Sequence, residues 1–475
     1  MTTAHIRRAA GRALAALLLA LPVCLAWPRS AFAADALTRT EVTFQGGDGL
    51  TLHGTIVEPA GGHDALPGVV LVGGAGPGPR EEYRAEAEGF ARAGVATLVY
   101  DKRTAGYSTM HRDFGLLAED ASAGVRVLRT HPGVRPDAVG LWGFSEGGWV
   151  APLAATRSPD IAFVITIGGS GLSPLRTQTW NLDTHLAHRG APGSLLGAID
   201  GPGARLLDGA GLFPEADYDP LPVLEHLHQP VLALWGEYDT KVPPQESARI
   251  FRTVLAEAGN DHVTIAFVPG AGHNGHRSSD GFDSLGGPTF QGHPLGELGP
   301  GYLDVMASWT EQVAAGHPLL SSTAPAPAQK RVSHAATADP WYQQAGTGRT
   351  ALAALVAAYL AGPLVGSLRR APAPLRRRVR WLAVLGTADV VAAPLFVMSV
   401  FATDGKATGP VVAGRPALWL LLQAATAAVL VLTVAVALAA WRERRALAVR
   451  TRVAVAVHLA AGVVLVPWAL GWGLA

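Results

Sequence analysis

The sequence predicts an α/β domain on a doubly wound, mostly parallel sheet, followed by an all-α region of four membrane-spanning helices. Three observations carry this. Between residues 68 and 268, short apolar runs of strand length alternate with helix-like segments. In the last quarter of the chain, four apolar stretches each approach the roughly 20 residues needed to cross a bilayer. Apolar residues fill 49% of the 475 positions, charged residues only 16%, and mean hydropathy is +0.24, which excludes a disordered chain and fits membrane segments.

At the N-terminus, Arg7, Arg8 and Arg12 precede an apolar run (13–27) and the small-x-small site Ala31-Phe32-Ala33. This is the pattern of a secretory signal peptide, expected to span 1–33. The only cysteine, Cys24, falls inside it, so the mature chain is expected to have neither disulfides nor thiol chemistry. The domain that follows is acidic. Residues 34–349 hold 34 acidic and 21 basic side chains, a balance of −13, which argues against a nucleic-acid partner.

Its strands are expected at 41–46 and 50–58, around a Gly46-Gly47-Asp48-Gly49 turn, then at 68–72, 95–100, 138–144, 161–167, 231–235 and 263–268. Helices are expected at 81–93, 116–129, 147–155, 244–258 and 302–314. In such a sheet, ligands bind beyond the carboxyl ends of the strands, so the residues that follow each strand are the ones to inspect.

After 138–142 comes Gly143-Phe144-Ser145-Glu146-Gly147, a G-x-S-x-G string with a buried strand before it and a helix pattern after it. That is the setting of a nucleophile elbow, in which a strained turn holds the serine hydroxyl clear of the sheet. A serine needs a base, and the base needs an orienting acid. Asp239 follows strand 231–235 and is the expected acid, with Glu237 as its rival. His273 follows strand 263–268 and is the expected base, with His276 as its rival. Oxyanion donors are expected from the N–H of Glu146 and from the glycine-rich loop after 68–72, at Ala75 or Gly74. That loop lacks the Gly-Lys-Ser/Thr ending of a phosphate cradle and the spacing of a dinucleotide fingerprint. No cofactor is implied. No metal is implied either, because His273 and His276 have no second ligand set and HExxH is absent.

With these residues in the order Ser, Asp, His, the chain resembles the α/β-hydrolase superfamily. Within it, the chain looks like a member of the bacterial esterase branch related to dienelactone hydrolases and prolyl-oligopeptidase-type peptidases. Tyr100-Asp101-Lys102-Arg103-Thr104-Ala105-Gly106-Tyr107-Ser108 resembles that family's D-x-R-G-x-G-x-S segment, with Thr104 in place of a glycine. The resemblance covers about 41–315 and implies a hydrolase domain over 34–316, with a cap inserted at 170–228. The cap's Trp180, Leu182, Leu186, Leu195, Leu196, Leu206 and Leu212 suggest a lid with an apolar inner face that favours an acyl or aryl ester.

Residues 317–349 read as an exposed Ala/Pro/Ser/Thr-rich tether, with Trp341 and Tyr342 at the membrane interface. The spans are expected at about 350–368, 379–401, 416–440 and 453–472. Arg369, Arg370, Arg376, Arg377, Arg378 and Arg380 lie between the first two. Arg442, Arg444, Arg445, Arg450 and Arg452 lie between the last two, whereas the middle connection carries only Lys406 and Arg415. By the positive-inside rule the Arg-rich loops are cytoplasmic, and the hydrolase domain and C-terminus are extracytoplasmic. Asp389 and His458, both within spans, are expected to face each other, with Gln423 elsewhere in the bundle.

The function expected from the sequence is a membrane-anchored serine hydrolase that cleaves a small-molecule ester or acyl substrate and has membrane lipid as a partner. Peptidase, amidase or thioesterase activity are the alternatives. A non-catalytic membrane sensor or binding protein is the alternative of another class.

Overall fold

The computed structural model describes residues 36–62, 65–334, 344–364, 368 and 371–475, with backbone only for 362–364. The expected signal peptide, Trp341, Tyr342, Arg369 and Arg370 lie outside the described residues.

The expected strands form: β1 (Leu37–Gln45), β2 (Thr51–Pro59), β3 (Leu66–Val72), β4 (Ala96–Tyr100), β5 (Val134–Phe144), β6 (Val164–Ile167), β7 (Val231–Gly236) and β8 (Val263–Val268). A short β9 (Ser322–Thr323) joins them. The sheet order is β1-β2-β4-β3-β5-β6-β7-β8-β9, antiparallel at β1/β2 and β2/β4 and parallel elsewhere. The β1–β2 turn is pinned from outside the hairpin. Asp120 accepts from the N–H of Gly47 at 2.8 Å. Arg103 donates to the Gly47 carbonyl at 3.0 Å and grips Asp120 with bonds of 2.6 and 2.7 Å.

Both faces of the sheet are buried, which explains the unbroken apolar runs. Along β3, Val70 and Val72 enter one core while Val69 and Leu71 enter the other. The first core is closed by α2 (Phe114–Arg129), α3 (Gly147–Arg157) and α8 (Pro244–Glu257), through Phe114, Trp149 and Phe251. The second is closed by α1 (Arg84–Arg92) and α9 (Tyr302–Ala314), through Phe90, Tyr302 and Trp309.

The first half of the expected tether lies on the domain. Beyond β9, Gln329 donates to Glu246 at 2.7 Å and the N–H of Ser333 donates to the same carboxylate at 2.9 Å.

The C-terminal helices are α10 (Ala345–Leu364), α11 (Ala373–Ala402), α12 (Ala417–Glu443) and α13 (Val449–Gly471). Among the described residues three of them, α11, α12 and α13, are long and apolar enough to cross a membrane, not the four expected. The described part of α10, Ala345–Leu364, falls short: its first turns hold Gly346, Gly348 and Arg349, which leaves about 14 apolar residues up to Leu364, or about 21 Å at 1.5 Å per residue, against a hydrocarbon core of about 30 Å. The bundle turns Trp381, Leu395, Leu421, Val431, Leu438, Val463 and Leu470 outward, an apolar surface suited to lipid.

The expected Asp389–His458 pairing does not form. The buried Asp389 accepts from the Thr426 hydroxyl at 2.7 Å. His458 bonds the Ala454 carbonyl of its own helix at 2.7 Å and packs edge-on to Tyr359. A hydroxyl one helix away satisfies part of the carboxyl without transferring charge to a second buried group. Gln423 sits at the end of the bundle, donating to Ser194 and to the Gly473 carbonyl.

The cap comprises α4 (Pro174–His188), α5 (Leu195–Ala198), α6 (Ala204–Gly209) and α7 (Leu221–Glu225). Of the apolar residues expected to line a lid, Trp180 lines a cavity of about 590 Å³ together with Tyr238 and Asp239, whereas the leucines lie elsewhere. Leu182, Leu186 and Leu195 are buried in one core shared with the membrane bundle, and Leu196 and Leu206 pack against that core, while Leu212 is exposed. Polar contacts follow the same seam. Gln178 donates to Asp404 (2.8 Å), Arg189 to the Lys406 carbonyl (2.8 Å) and Trp419 to the Ser194 hydroxyl (3.1 Å). The cap therefore meets the bundle at the end bearing the loop of Lys406 and Arg415, opposite the Arg-rich ends.

Candidate active site

Ser145 stands at the turn between β5 and α3 with φ of 53°, a conformation that costs a non-glycine residue strain and is typical of a nucleophile held clear of its sheet. Its N–H donates to Ile167 on the neighbouring strand at 2.8 Å, so the turn is anchored to the sheet. Gly147 must lack a side chain here, since a Cβ would lie 2.4 Å from the Val72 carbonyl oxygen. α3 starts directly after the elbow and brings the positive end of its dipole to Ser145.

His273 and Asp239 meet. Nδ1 of His273 is 2.8 Å from Oδ2 of Asp239. The other carboxylate oxygen accepts from the N–H groups of Lys241 (2.8 Å) and Val242 (2.9 Å), so the turn after β7 fixes the acid's orientation. With Nδ1 committed to Asp239, Nε2 is the nitrogen left to act as a base. The imidazole lies over Gly168, where a Cβ would be 2.5 Å from its ring, and 5.0 Å from the Phe144 ring, centre to centre. Gly168 follows Ile167, the residue that anchors Ser145, so imidazole and serine share one rim of the sheet. The Ser145 hydroxyl makes no hydrogen bond among the described residues. Bonds of this kind often tighten only when substrate arrives.

The two rivals are engaged elsewhere. Glu237 accepts from the N–H of Gly270 at 2.8 Å, bracing the turn that carries His273. His276 is buried between Glu86 (2.9 Å from Nε2) and the Leu295 carbonyl (2.8 Å from Nδ1). Burial opposes its charging, but Glu86 and the nearby carbonyls outweigh this and raise its pKa.

The loop 73–79 lies against Ser145, with the Cβ position of Gly74 3.5 Å from the serine Cβ. Of the two expected donors here, Gly74 is already engaged, because its N–H donates to the Tyr83 hydroxyl at 2.8 Å. The N–H groups of Ala75 and Glu146 make no hydrogen bond among the described residues and are available to an oxyanion.

Sequence reasoning missed what holds this loop. The Glu146 side chain is 1% exposed and forms an ion pair with Lys102. It also accepts from the Tyr107 hydroxyl at 2.6 Å. Lys102 donates to the Gly74 carbonyl at 2.5 Å, and Tyr107 accepts from the N–H of Gly76 at 2.9 Å. Burial pulls the Lys102 ammonium below its ordinary pKa, against the pull of Glu146. The loop and the elbow are thus tied through one buried network, a preorganised setting for oxyanion donors. The available signal was the 100–108 segment, whose Lys102, Arg103 and Tyr107 all point inward.

One group among the described residues has the spacing of metal ligands: Asp183 and Asp200 of the cap with His334 from the segment beyond β9. Burial and the neighbouring Asp200 push Asp183 up to about 8. The two carboxyls can then share a proton, which satisfies the pair without a cation.

Residues 116–285 match the prolyl oligopeptidase family. Among curated proteins, a polyketide transferase of Stachybotrys chlorohalonatus is 34% identical over 135 residues, covering 27% of this chain and 44% of that protein. A thiohydrolase of Arthrinium phaeospermum is 31% identical over 131 residues (27% and 42%). Acyl-coenzyme A thioesterase 1 of Mus musculus is 35% identical over 108 residues (22% and 24%). The chain thus spans less than half the length of each. Among solved structures, a 2,6-dihydroxy-pseudo-oxynicotine hydrolase has a TM-score of 0.41 at 23% identity, covering 60% of this chain and 70% of that one. A dienelactone hydrolase of Anabaena variabilis has a TM-score of 0.35 at 20% identity (60% and 99%). Strand order and the strained serine after β5 give the sheet domain the α/β-hydrolase fold, and residues 116–285 of it match the prolyl oligopeptidase family.

Proposed function

We propose that the protein is a membrane-anchored serine hydrolase that cleaves an ester through an acyl-enzyme. The observation that carries this is the 2.8 Å His273–Asp239 contact on the same rim as the strained Ser145. Nε2 of His273 takes the hydroxyl proton as Ser145 attacks the carbonyl. Asp239 holds the ring and stabilises the imidazolium. The N–H groups of Glu146 and Ala75 receive the oxyanion, and His273 then delivers the proton to the leaving alcohol. Water, activated by the same imidazole, cleaves the acyl-enzyme.

α11, α12 and α13 anchor the enzyme, and α10 packs with them. The cap meets the bundle at the end away from Arg376–Arg380 and Arg442–Arg452; by the positive-inside rule this supports an extracytoplasmic active site, with the chain passing from the cap end to the Arg-rich end between Gln344 and Arg376, through α10 and the residues that follow it. Thioester cleavage is the second reading, favoured by the thiohydrolase and thioesterase among the relatives.

Fluorophosphonate labelling of the full chain in detergent tests the chemistry. Labelling is expected, and Ser145→Ala should abolish it. A folded chain that is not labelled would favour a binding protein with a hydrolase-like domain. A panel of esters, thioesters and aminoacyl amides then separates the readings.

A further inference from the structure

Glu146 offers an oxyanion N–H from its backbone and buries a carboxylate on its side chain, so whatever holds the carboxylate also steadies the N–H. Its two carboxylate oxygens are held differently. Oε1 takes the Lys102 ammonium and the Tyr107 hydroxyl. Oε2 makes no hydrogen bond among the described residues and faces the Arg112 guanidinium at 3.5 Å. The two side chains are only 11% and 1% exposed, so this ion pair is little screened by water.

Arg112 is placed from two sides. On its own segment, Nε and Nη2 each donate to the Thr109 carbonyl at 3.3 Å, and the next residue, Asp113, caps α2 by accepting from the N–H of Leu116 at 2.9 Å. From the cap, the Phe213 ring lies 5.3 Å from the guanidinium carbon, within the roughly 6 Å of a cation–π contact. Phe213 lies between α6 and α7 and packs against the core that the cap shares with the bundle. Its neighbours grip the start of α2 as well. Glu215 accepts from the N–H of Phe114 at 3.3 Å, and Tyr218 packs edge-on to Phe114 at 4.9 Å between ring centres. The seating of the cap thus reaches the residue after the nucleophile through one aromatic ring and one guanidinium.

We propose that Arg112 is a positioning residue for the oxyanion donor at Glu146, and that Phe213 makes its position depend on the cap being seated on the bundle. The inference rests on the hydrolase reading of Ser145. Lys102 fixes one carboxylate oxygen whatever the cap does, and Arg112 restrains the other only while Phe213 stays beneath it. An enzyme whose cap has lifted keeps its triad and loses part of its oxyanion hole, which couples hydrolysis to the anchored state.

The test uses the full chain in detergent. It measures kcat and KM on the best ester of the panel, melting temperature, and hydrogen exchange at Trp149 and Val150, whose N–H groups bond the Glu146 carbonyl at 3.0 and 3.2 Å. Arg112→Met should lower kcat about ten- to a hundredfold with KM within about twofold, less than a deleted donor costs because the N–H is loosened and not removed. Arg112→Lys keeps the charge and should recover most of that loss. Phe213→Leu keeps an apolar side chain without the ring face and should lower kcat about threefold or more. The double variant Phe213→Leu, Arg112→Met should be no slower than Arg112→Met alone, because the ring acts through the guanidinium. Exchange at Trp149 and Val150 should quicken in Arg112→Met by about threefold or more. A folded Arg112→Met with native kcat, or with raised KM at native kcat, would overturn the positioning role. Multiplying losses in the double variant would overturn the link to the cap. Should Arg112→Met fail to fold, native kcat and native exchange in Phe213→Leu would overturn the proposal. A native chain that takes no label and cleaves no ester would count against the hydrolase reading, and exchange in Arg112→Met would still decide whether Arg112 holds the elbow.

Discussion

Removing the membrane bundle should unfold the cap rather than release a soluble enzyme. Leu175, Leu182, Leu186, Leu195, Ile199 and Leu207 of the cap are buried in a core that also contains Leu382, Val397, Phe401, Trp419 and Leu465 of the bundle. Full burial of such side chains contributes about 1.5–3 kcal/mol each, so the six together represent roughly 9–18 kcal/mol. They also touch one another. If half of the burial is against the bundle, truncation removes about 5–9 kcal/mol, comparable to the whole stability of a typical domain, about 5–15 kcal/mol. The polar contacts of Gln178, Arg189 and Ser194 would be lost with it. A chain ending at His334 should therefore be cut rapidly by protease within 170–228, bind a hydrophobic dye and melt well below the full chain in detergent. Its sheet should fare better, because the two sheet cores contain none of the bundle's residues. A truncated chain that resists protease in the cap as the full chain does, and melts within about 2 °C of it, would refute the shared-core reasoning.

Asp239→Asn is expected to lower kcat by about 10⁴, by misdirecting the His273 proton, whereas Glu237→Gln should cost far less; kinetics on the best ester of the panel compares them. Lys102→Met removes one of the two cations beside the buried Glu146 carboxylate, leaving Arg112 at 3.5 Å, and should destabilise the fold by less than the about 3–5 kcal/mol of a buried charge left with no partner, read from denaturant midpoints. Gly147→Ala should abolish labelling, because its Cβ would meet the fixed Val72 carbonyl; undiminished labelling would argue against the elbow as described. For His276 the folded pKa is raised, so the Glu86 pair contributes stability fully below about pH 6.5 and loses it as pH rises through the higher folded value. Melting temperature should fall over that alkaline limb in the native chain, and His276→Asn should flatten the fall.

The sheet was legible because its signal is local. Both faces of the sheet are covered, so strands such as 231–235 read as unbroken apolar runs, and their order along the chain points to the ends where ligands bind. Ser145, Asp239 and His273 were singled out for that reason, each following a strand. Helices long and apolar enough to cross a membrane were legible through length and composition alone, although the described part of α10, with Gly346, Gly348 and Arg349 in its first turns, shows how a run near the limit depends on where its helix starts. What lay beyond the sequence is contact between distant segments. Nothing in 170–228 says that Leu182 and Leu195 pack on a membrane bundle more than 150 residues away, since an apolar face reads the same whatever covers it. Nor does Asp389 announce Thr426 over His458, or Gly74 the Tyr83 hydroxyl that takes its N–H. Composition and periodicity determine which residues leave water, and only the tertiary structure decides which partner meets each of them, because that choice depends on geometry between parts of the chain that have no local relation.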